Sequence, residues 1–444
     1  MTLPVLILYV IFGINYLYPF CIRYLGFPSL PTDFKEILVL SLFTAIYLKA
    51  FLVNKTFNSS FLKIRAYKYF FLLFVLIAII NSFINQNNLV LVIKAFLEFT
   101  VICWILFLAV LEMDINEKNQ EKIIKFIYIL IFLQIPVTTY QYMYLGYNNP
   151  DSNSGTLSDT NAGGTGVVSI LMLFLLSFII YKMLYEGFSI KWLLFALLTI
   201  IPALFGGAKL GLILAPVTIL LTIACYYFLQ RSMNIRKLLR SVAILSGLMV
   251  IALIIVIVIA PETKYKKEFI DLNIIFSPTK VEKYESGDKK YGRIQGYYRL
   301  FNDVYKNNLN MLLGMGSSVI QSSNIGGMNS IELKFASMLE DSIKLLATIG
   351  LLGLISVIGI IFYSILVLKN YLTIETSKFM IMVASSLIPV TFIFIISIFY
   401  TSAWSSQIGM SYWVILGILY QRYSVLSRGY EKLSRHYFSF MSTP

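Results

Sequence analysis

Long apolar runs, each about as long as a membrane is thick, dominate the pattern of hydrophobic and polar positions. They lie near residues 4–22, 36–53, 67–85, 89–112, 121–144, 164–185, 189–206, 208–229, 238–260, 343–368, 376–400 and 408–424. A transmembrane helix needs about 20 mostly apolar residues, because the hydrocarbon core is about 30 Å thick and the backbone must satisfy its own hydrogen bonds there. The alternation typical of β-barrels is absent. The pattern predicts an all-α polytopic membrane protein with about 12 transmembrane helices.

Composition agrees with this fold class. Hydrophobic residues make up 58% of the 444 and charged residues 13%, and the mean hydropathy is +0.78, which one water-soluble core cannot accommodate. The first apolar run has no basic region before it and no small-residue cleavage site, so we interpret it as a retained helix. The three cysteines show no CxxC spacing, and neither a disulfide nor a thiolate metal site is expected.

Lysine and arginine residues concentrate in alternate short loops. Because such loops stay on the cytoplasmic side, both termini are predicted to be cytoplasmic, and the net charge of +14 reflects topology rather than nucleic-acid binding. The cytoplasmic set comprises Lys55, Lys63, Arg65, Lys68, Lys118, Lys122, Lys182, Lys191, Arg231, Arg236, Lys237, Arg240, Lys369, Lys378, Arg422, Arg428, Lys432 and Arg435.

The alternation of cytoplasmic and outward loops divides the chain into three parts. Residues 1–260 are expected to carry the first nine transmembrane helices, residues 261–342 one large extracytoplasmic loop, and residues 343–444 the last three helices and a cytoplasmic tail. A second outward segment, residues 145–163, contains no lysine or arginine.

Residues 290–312, within the large loop, have the periodicity of an amphipathic helix at the bilayer surface. On this helix Arg293 flanks the apolar face, whereas Arg299 and Lys306 project from the opposite side. The fork of donors on an arginine matches phosphate oxygens, so Arg293 is a candidate for binding a lipid pyrophosphate. The alternative, which the spacing alone favours, is a cation that only snorkels from an interfacial helix.

Other polar residues lie just before predicted helices on the outer side. Glu340 and Asp341 precede an apolar run, where they supply either a catalytic base or charges that complement the helix dipole. Residues 154–166 offer hydroxyl, carboxylate and amide groups among glycines, or only a flexible turn. Lys209 follows two glycines at a tight outward turn and either meets a substrate or snorkels.

These segments occur in an order that resembles the O-antigen polymerase and ligase superfamily. They are TLSDTNAGG, GGAKLGLILA, GRIQGYYRLFNDVYKNNLNMLLGMG and EDSIKLLATIGLLGLI, and the resemblance covers roughly residues 156–355. The motif positions of the family are taken by Asn161, Lys209, Arg293, Gly314, Gly316, Gly350 and Gly353. Lys209 stands where arginine is common, and Asn310 where proline is usual. Glu340 and Asp341 occupy the stretch where ligases have a histidine, which favours the polymerase branch.

The resemblance implies a GT-C-like membrane glycosyltransferase, of the kind called a Wzy-type polymerase, in the inner membrane of a bacterium. It would join undecaprenyl-pyrophosphate-linked glycans, as donor and acceptor, on the outer face, as in lipopolysaccharide biosynthesis. No metal or cofactor is implied, and a chain-length regulator is an expected partner. The implied catalytic residues are Arg293, Glu340 and Asp341, and the implied substrate-binding residues are Lys209, Arg299, Asn161, Tyr291, Tyr297 and Tyr298.

Three alternatives remain open from the sequence. A ligase that transfers finished glycan shares nearly all of these features. A flippase for lipid-linked oligosaccharides would also have about 12 helices, although it rarely needs an outer loop of this size. An assembly scaffold without activity is the third.

Overall fold

The structure is a computed structural model. It describes residues 3–30, 34–54, 65–85, 102–113, 115–144, 153–157, 164–206, 209–229, 247, 281–283, 289–291, 297–298, 300–305, 307–316, 341–401, 403–404 and 406–441. The predicted run at residues 238–260, apart from residue 247, and most of the large loop lie outside these ranges.

Helices account for nearly all the described elements. They are α1 (Leu3–Leu25), α2 (Phe34–Asn54), α3 (Arg65–Ile84), α4 (Ile102–Glu112), α5 (Glu117–Phe132), α6 (Gln134–Tyr144), α7 (Thr165–Glu186), α8 (Ile190–Leu198), α9 (Ile201–Phe205), α10 (Lys209–Leu229), α11 (Asn308–Leu313), α12 (Asp341–Leu372), α13 (Lys378–Ile398) and α14 (Gln407–Met441). Two short antiparallel strands, β1 (Val281–Lys283) and β2 (Lys289–Tyr291), form a hairpin.

The expectation of a helical membrane protein is confirmed. Within the described ranges, six helical stretches are long and apolar enough to cross a membrane: Leu3–Leu25, Glu117–Tyr144 (α5 and α6 together), Thr165–Glu186, Leu210–Leu229, Asp341–Leu372 and Lys378–Ile398. The total of 12 spans and the GT-C-like arrangement stay predictions. Two predicted runs are broken near prolines: α5 ends before Pro136, and Pro202 lies at the start of α9. Proline has no N–H to continue a helix but suits its first turn.

The described helices have their ends at two levels. At one level, which we call the loop end, α1, α6, α9 and α13 finish and α7, α10, α12 and α14 begin. The Tyr16 hydroxyl hydrogen-bonds to Ser411 Oγ at 2.6 Å, and Gly166 faces Thr401. At the other level, the basic end, Ser377 Oγ donates to Glu121 at 3.3 Å, and Lys182 lies over the ring of Trp192. Lys182, Lys369 and Lys378 of the predicted cytoplasmic set lie at the basic end, and the orientation of this end toward the cytoplasm stays a prediction.

A buried aromatic cluster ties α4, α13 and α14 together beneath the loop end. The ring centroids of Trp104 and Trp404 are 5.0 Å apart, and those of Trp404 and Trp413 are 5.3 Å apart, both edge to face. Phe394 stacks on Tyr412 at 4.4 Å. Edge-to-face and offset pairs of this kind add stability beyond the area they bury. The cluster fixes residues 403–404, which the candidate site uses.

An ion cluster closes the basic end. The guanidinium of Arg422 donates to both carboxylate oxygens of Glu375, with Nη2 2.9 Å from Oε1, and Nη1 lies 3.2 Å from Glu117 Oε1. The hydroxyl of Tyr371 also donates to Glu375. Burial alone would raise the pKa of Glu375, but the hydrogen bonds from Arg422 and Tyr371 outweigh it, so the pKa is lowered.

The stability that Glu375 supplies is therefore expected to depend on pH. A carboxyl whose pKa is depressed by folding contributes fully above its unfolded pKa, about 4.3, and its contribution disappears as the pH falls through the lower folded pKa. Glu375→Gln should lower the free energy of unfolding by about 3 kcal/mol at pH 7, because Arg422 loses a buried partner. In thermal unfolding in detergent, the difference from wild type should shrink below about pH 4.3. Glu186→Gln, which breaks the more exposed pair with Lys182, should cost less than about 1 kcal/mol; a similar loss in both variants would contradict the account.

The predicted single amphipathic helix over residues 290–312 is wrong. Lys290 and Tyr291 belong to β2, and residues 300–304 form a π-helical turn. A new helix, α11, begins after Asn307, whose side chain caps the N–H of Asn310 at 2.8 Å. An asparagine at this position satisfies an N–H group that has no partner within the helix, so it starts a helix rather than continuing one.

Candidate active site at the loop end

At the loop end, the described parts of the four motif segments lie in two pairs, which residues 401–404 connect. Gly206, just before α10, contacts Thr165 at the start of α7. One residue further on, Gly166 faces Thr401, and the loop that follows carries Trp404, whose N–H donates to the carboxylate of Asp341. Segments separated by more than 200 residues in the sequence therefore line one end of the bundle.

Several of the sequence-predicted site residues lie outside the described ranges. These are Asn161, Arg293, Arg299 and Glu340. The backbone of Lys209 begins α10 at the loop end, and that of Tyr291 ends β2, but the side chains of both fall outside the description. Their predicted roles stay predictions.

Asp341 has structural partners. Its side chain is buried, it accepts the backbone N–H of Trp404, and its Oδ1 lies 3.8 Å from Nζ of Lys344, one turn along α12. Cys103 Sγ lies 3.0 Å from the carbonyl oxygen of the same Trp404. The carboxylate thus anchors the loop between α13 and α14 to the first turn of α12, where a negative charge also complements the helix dipole.

The two neighbouring tyrosines of the large loop have different environments. The hydroxyl of Tyr297 hydrogen-bonds to that of Ser342, and Tyr305, further along, donates to the carbonyl of Leu346 at 2.8 Å. Tyr297 and Tyr305 therefore fasten the loop to α12. Tyr298 is 62% exposed, and of the two it is the one that can stack on a sugar.

Three glycines join the end of α11 to a kink in α12. Gly350 interrupts α12 with φ +65°, and Gly314 and Gly316 also have positive φ. A kink leaves carbonyls without their helical partners. Here Ala347 O accepts the N–H of Met315 at 2.8 Å, and Thr348 O accepts that of Gly316 at 3.1 Å.

Asn81, buried in α3, completes this junction. Its Nδ2 donates to Leu313 O at 2.5 Å and also to Thr348 O, which links α3 to both partners. We call Asn81, Gly314, Gly316 and Gly350 the glycine junction. The G-x-G and G-x-x-G motifs that carry the family resemblance thus meet in direct backbone contact.

Residues 153–157, which include the first two residues of the TLSDTNAGG motif, are held by hydrogen bonds from α6. Gln134 Oε1 accepts the N–H of Thr156 at 2.8 Å, and Gln141 exchanges two hydrogen bonds with the backbone of Gly155, at 2.7 and 2.8 Å. Asn153 donates to Phe205 O at 2.9 Å, which holds the segment beside the turn that leads to Lys209. Arg23 Nη1 lies 3.5 Å from Ser154 Oγ, so a cation on α1 also reaches this segment.

Gln141→Met is expected to lower the free energy of unfolding by about 2 to 4 kcal/mol, because the buried N–H and C=O of Gly155 lose their partners at nearly constant side-chain volume. Tyr24→Phe is the matched control, since it removes only the 2.9 Å bond between Gln141 Nε2 and the phenol oxygen. Thermal unfolding in detergent measures both. Equal small losses in the two variants would show that Gln141 does not hold the segment.

Sequence reasoning missed the residues that hold these segments in place. Gln134, Thr138 and Gln141 are spaced i, i+4 and i+7 within an otherwise apolar run, a polar stripe that indicates a buried hydrogen-bonding face. Asn81 is likewise a polar residue within an apolar run, which indicates a buried hydrogen-bonding side chain. Trp404 and Lys344 offered none, because their roles depend on contacts between distant segments.

The chain was compared with protein-family models and with curated proteins. No protein-family model matches the chain, and no curated protein matches it either.

Polar and charged side chains gather at the loop end. They include the half-buried Thr401, the cations Arg23 and Lys344, and the buried hydroxyls of Thr165 and Ser342. The ring of Tyr298, next to Tyr297 in the large loop, is exposed.

Proposed function

We propose that the protein is a membrane glycosyltransferase of the O-antigen polymerase type. It transfers a growing glycan from undecaprenyl pyrophosphate to another lipid-linked repeat unit, en bloc, on the outer face of a bacterial inner membrane. The observation that carries the proposal is the pairing, at the loop end, of the segments on which the family resemblance rests. The second segment contacts Thr165, directly after the first, and the third and fourth segments join at the glycine junction.

The reaction needs positive charge on the departing pyrophosphate and a base near the attacking sugar hydroxyl. Arg293, Lys209 and Arg299 supply the charge in this proposal. Asn161, in the TLSDTNAGG motif, also binds the substrate. The attacking hydroxyl loses its proton to the base as its oxygen bonds to the anomeric carbon, and the bond from that carbon to the pyrophosphate oxygen breaks. Tyr298, which is exposed, stacks on a sugar face, and Tyr291 is proposed to do the same. Tyr297 positions the loop on α12.

In this proposal Glu340, rather than Asp341, is the base. The Asp341 carboxylate already accepts from Trp404 and pairs with Lys344, so it has less freedom to take a proton. The lipid tail would lie between helices while the pyrophosphate and sugars occupy the loop end.

The two adjacent carboxylates should therefore respond differently to amide substitution. Glu340→Gln is expected to lower the rate of glycan transfer by about 100- to 10,000-fold without changing thermal stability, as removal of a general base does. Asp341→Asn should lower the unfolding temperature, because its amide cannot serve both partners as the carboxylate does. Rate and unfolding temperature are measured on the same purified variants. The assignment is refuted if Asp341→Asn abolishes transfer at unchanged stability while Glu340→Gln retains it.

The glycan profile of a strain that lacks the gene separates the proposal from its rivals. Loss of a polymerase leaves single repeat units attached to their final acceptor. Loss of a ligase leaves long glycan on undecaprenyl pyrophosphate, and loss of a flippase leaves single lipid-linked units on the cytoplasmic side. We expect the first profile, restored by the wild-type gene; either of the others would replace the proposal with the corresponding rival.

A further inference from the structure

Helix α11 presents two leucines away from the protein. Leu309 is 46% exposed and Leu312 is 42% exposed, and at i and i+3 they share one face of the helix. The opposite side is fixed, because the chain beyond Leu313 enters the glycine junction on α12 and Asn81 donates to Leu313 O. These hydrogen bonds fix the orientation of α11, and with it the direction in which the two leucines point.

The level of the glycine junction identifies that neighbour. From Gly350 to Leu372, α12 continues for 22 residues, which at 1.5 Å per residue is about 33 Å. The hydrocarbon core is about 30 Å thick. In the antiparallel neighbour α3, Asn81 lies 16 residues from Arg65, or about 24 Å. Measured from the basic end, both helices place the glycine junction near the far boundary of the hydrocarbon core.

The surface beside α11 supports the same assignment. Gly359 of α12 faces Phe70 of α3, so the two helices run side by side, and the outer side of α3 is apolar. Its exposed residues continue to the level of Asn81: Leu72, Leu73, Leu76, Ile79, Ile80, Phe83 and Ile84. The start of α12 lies nine residues before Gly350, on the other side of the kink from the 22 residues that lead to the basic end.

We infer that α11 is a membrane-embedded anchor of the large loop, with Leu309 and Leu312 in contact with lipid acyl chains just inside the hydrocarbon boundary. The occupant of this face is the bilayer. The loop therefore returns to the membrane after Tyr298 and holds the candidate site at the height of the headgroups. This inference rests on packing and depth and is independent of the proposed reaction.

Spin-label accessibility tests the inference. Leu309→Cys and Leu312→Cys, each in a chain carrying Cys21→Ser and Cys225→Ser, are labelled with a nitroxide; Cys103 is fully buried and is retained. The full-length proteins are reconstituted into phosphatidylcholine and phosphatidylglycerol nanodiscs. Collision rates are measured with oxygen, which concentrates in acyl chains, and with a neutral nickel chelate, which stays in water. Leu76→Cys, on the exposed side of α3, is the acyl-chain reference, and Asn302→Cys, exposed on the π-helical turn, is the aqueous one.

Labels at positions 309 and 312 are expected to behave like the label at 76, with oxygen collisions exceeding nickel collisions several-fold, and the label at 302 should show the reverse. Nickel accessibility at 309 and 312 equal to that at 302 would overturn the inference, because the face would then point into water. Exclusion of both reagents would also overturn it, because another part of the protein would cover the face. Glycan transfer does not enter the readout, so this result is separable from the fate of the proposed function.

Discussion

Gly314→Ala and Gly350→Ala are each expected to lower the free energy of unfolding by about 2 to 6 kcal/mol. A Cβ at Gly314 would lie 2.5 Å from the carbonyl carbon and oxygen of Thr348, and one at Gly350 would lie 2.5 Å from the amide nitrogen of Gly314. Both positions also have positive φ, which strains any residue with a side chain. Overpacking and strain add at the same site. Thermal unfolding in detergent, with the yield of monodisperse protein, measures the effect.

Gly13→Ala is the matched control. Gly13 lies within α1, and no other group comes within 4 Å of the position that a Cβ would take there, so alanine should leave the unfolding temperature unchanged or raise it. If Gly314→Ala and Gly350→Ala were as stable as Gly13→Ala, the close approach of α11 to α12 would not exist in the folded protein.

Arg293→Ala is expected to lower the rate of glycan transfer by about 100- to 1,000-fold, the usual cost of removing a group that stabilises a developing negative charge. Arg293→Lys should recover only part of the rate, because an ammonium keeps the charge but lacks the fork that binds two phosphate oxygens. Initial rates at saturating lipid-linked substrate measure both variants.

Lys306→Ala is the control for this substitution, since Lys306 lies in the same loop but has no assigned role. It should transfer glycan at close to the wild-type rate. A rate for Arg293→Ala within about threefold of that for Lys306→Ala would remove Arg293 from the proposed chemistry.

The sequence predicted the helices well and the large loop less well. Apolar length predicted the bounds of α1, α7 and α13 to within a few residues, because the membrane fixes both the composition and the length of a span. The same reasoning failed at residues 290–312. Helical periodicity there is real, but pairing into the β-hairpin and docking on α12 interrupt it, and neither leaves a local pattern.

The candidate site shows the same division. The motif order singled out Gly314 and Gly350 but could not show that they touch, because the contact depends on the kink in α12. The sequence suggested that Asp341 is a base, and the structure shows that its carboxylate also accepts the backbone N–H of Trp404. The sequence could not predict this contact, because the two residues are 63 positions apart. Glutamines in an apolar run were visible in the sequence, but their target, residues 153–157, was not.

Polymerisation by the purified protein tests the central claim most directly. Lipid-linked repeat units extracted from a strain that lacks the gene are incubated with the full-length protein in detergent, and the products are separated by size. The account predicts a ladder of glycans that differ by one repeat unit, with wild-type protein and not with Arg293→Ala of equal stability. Repeat units that remain single in the presence of folded wild-type protein would contradict it.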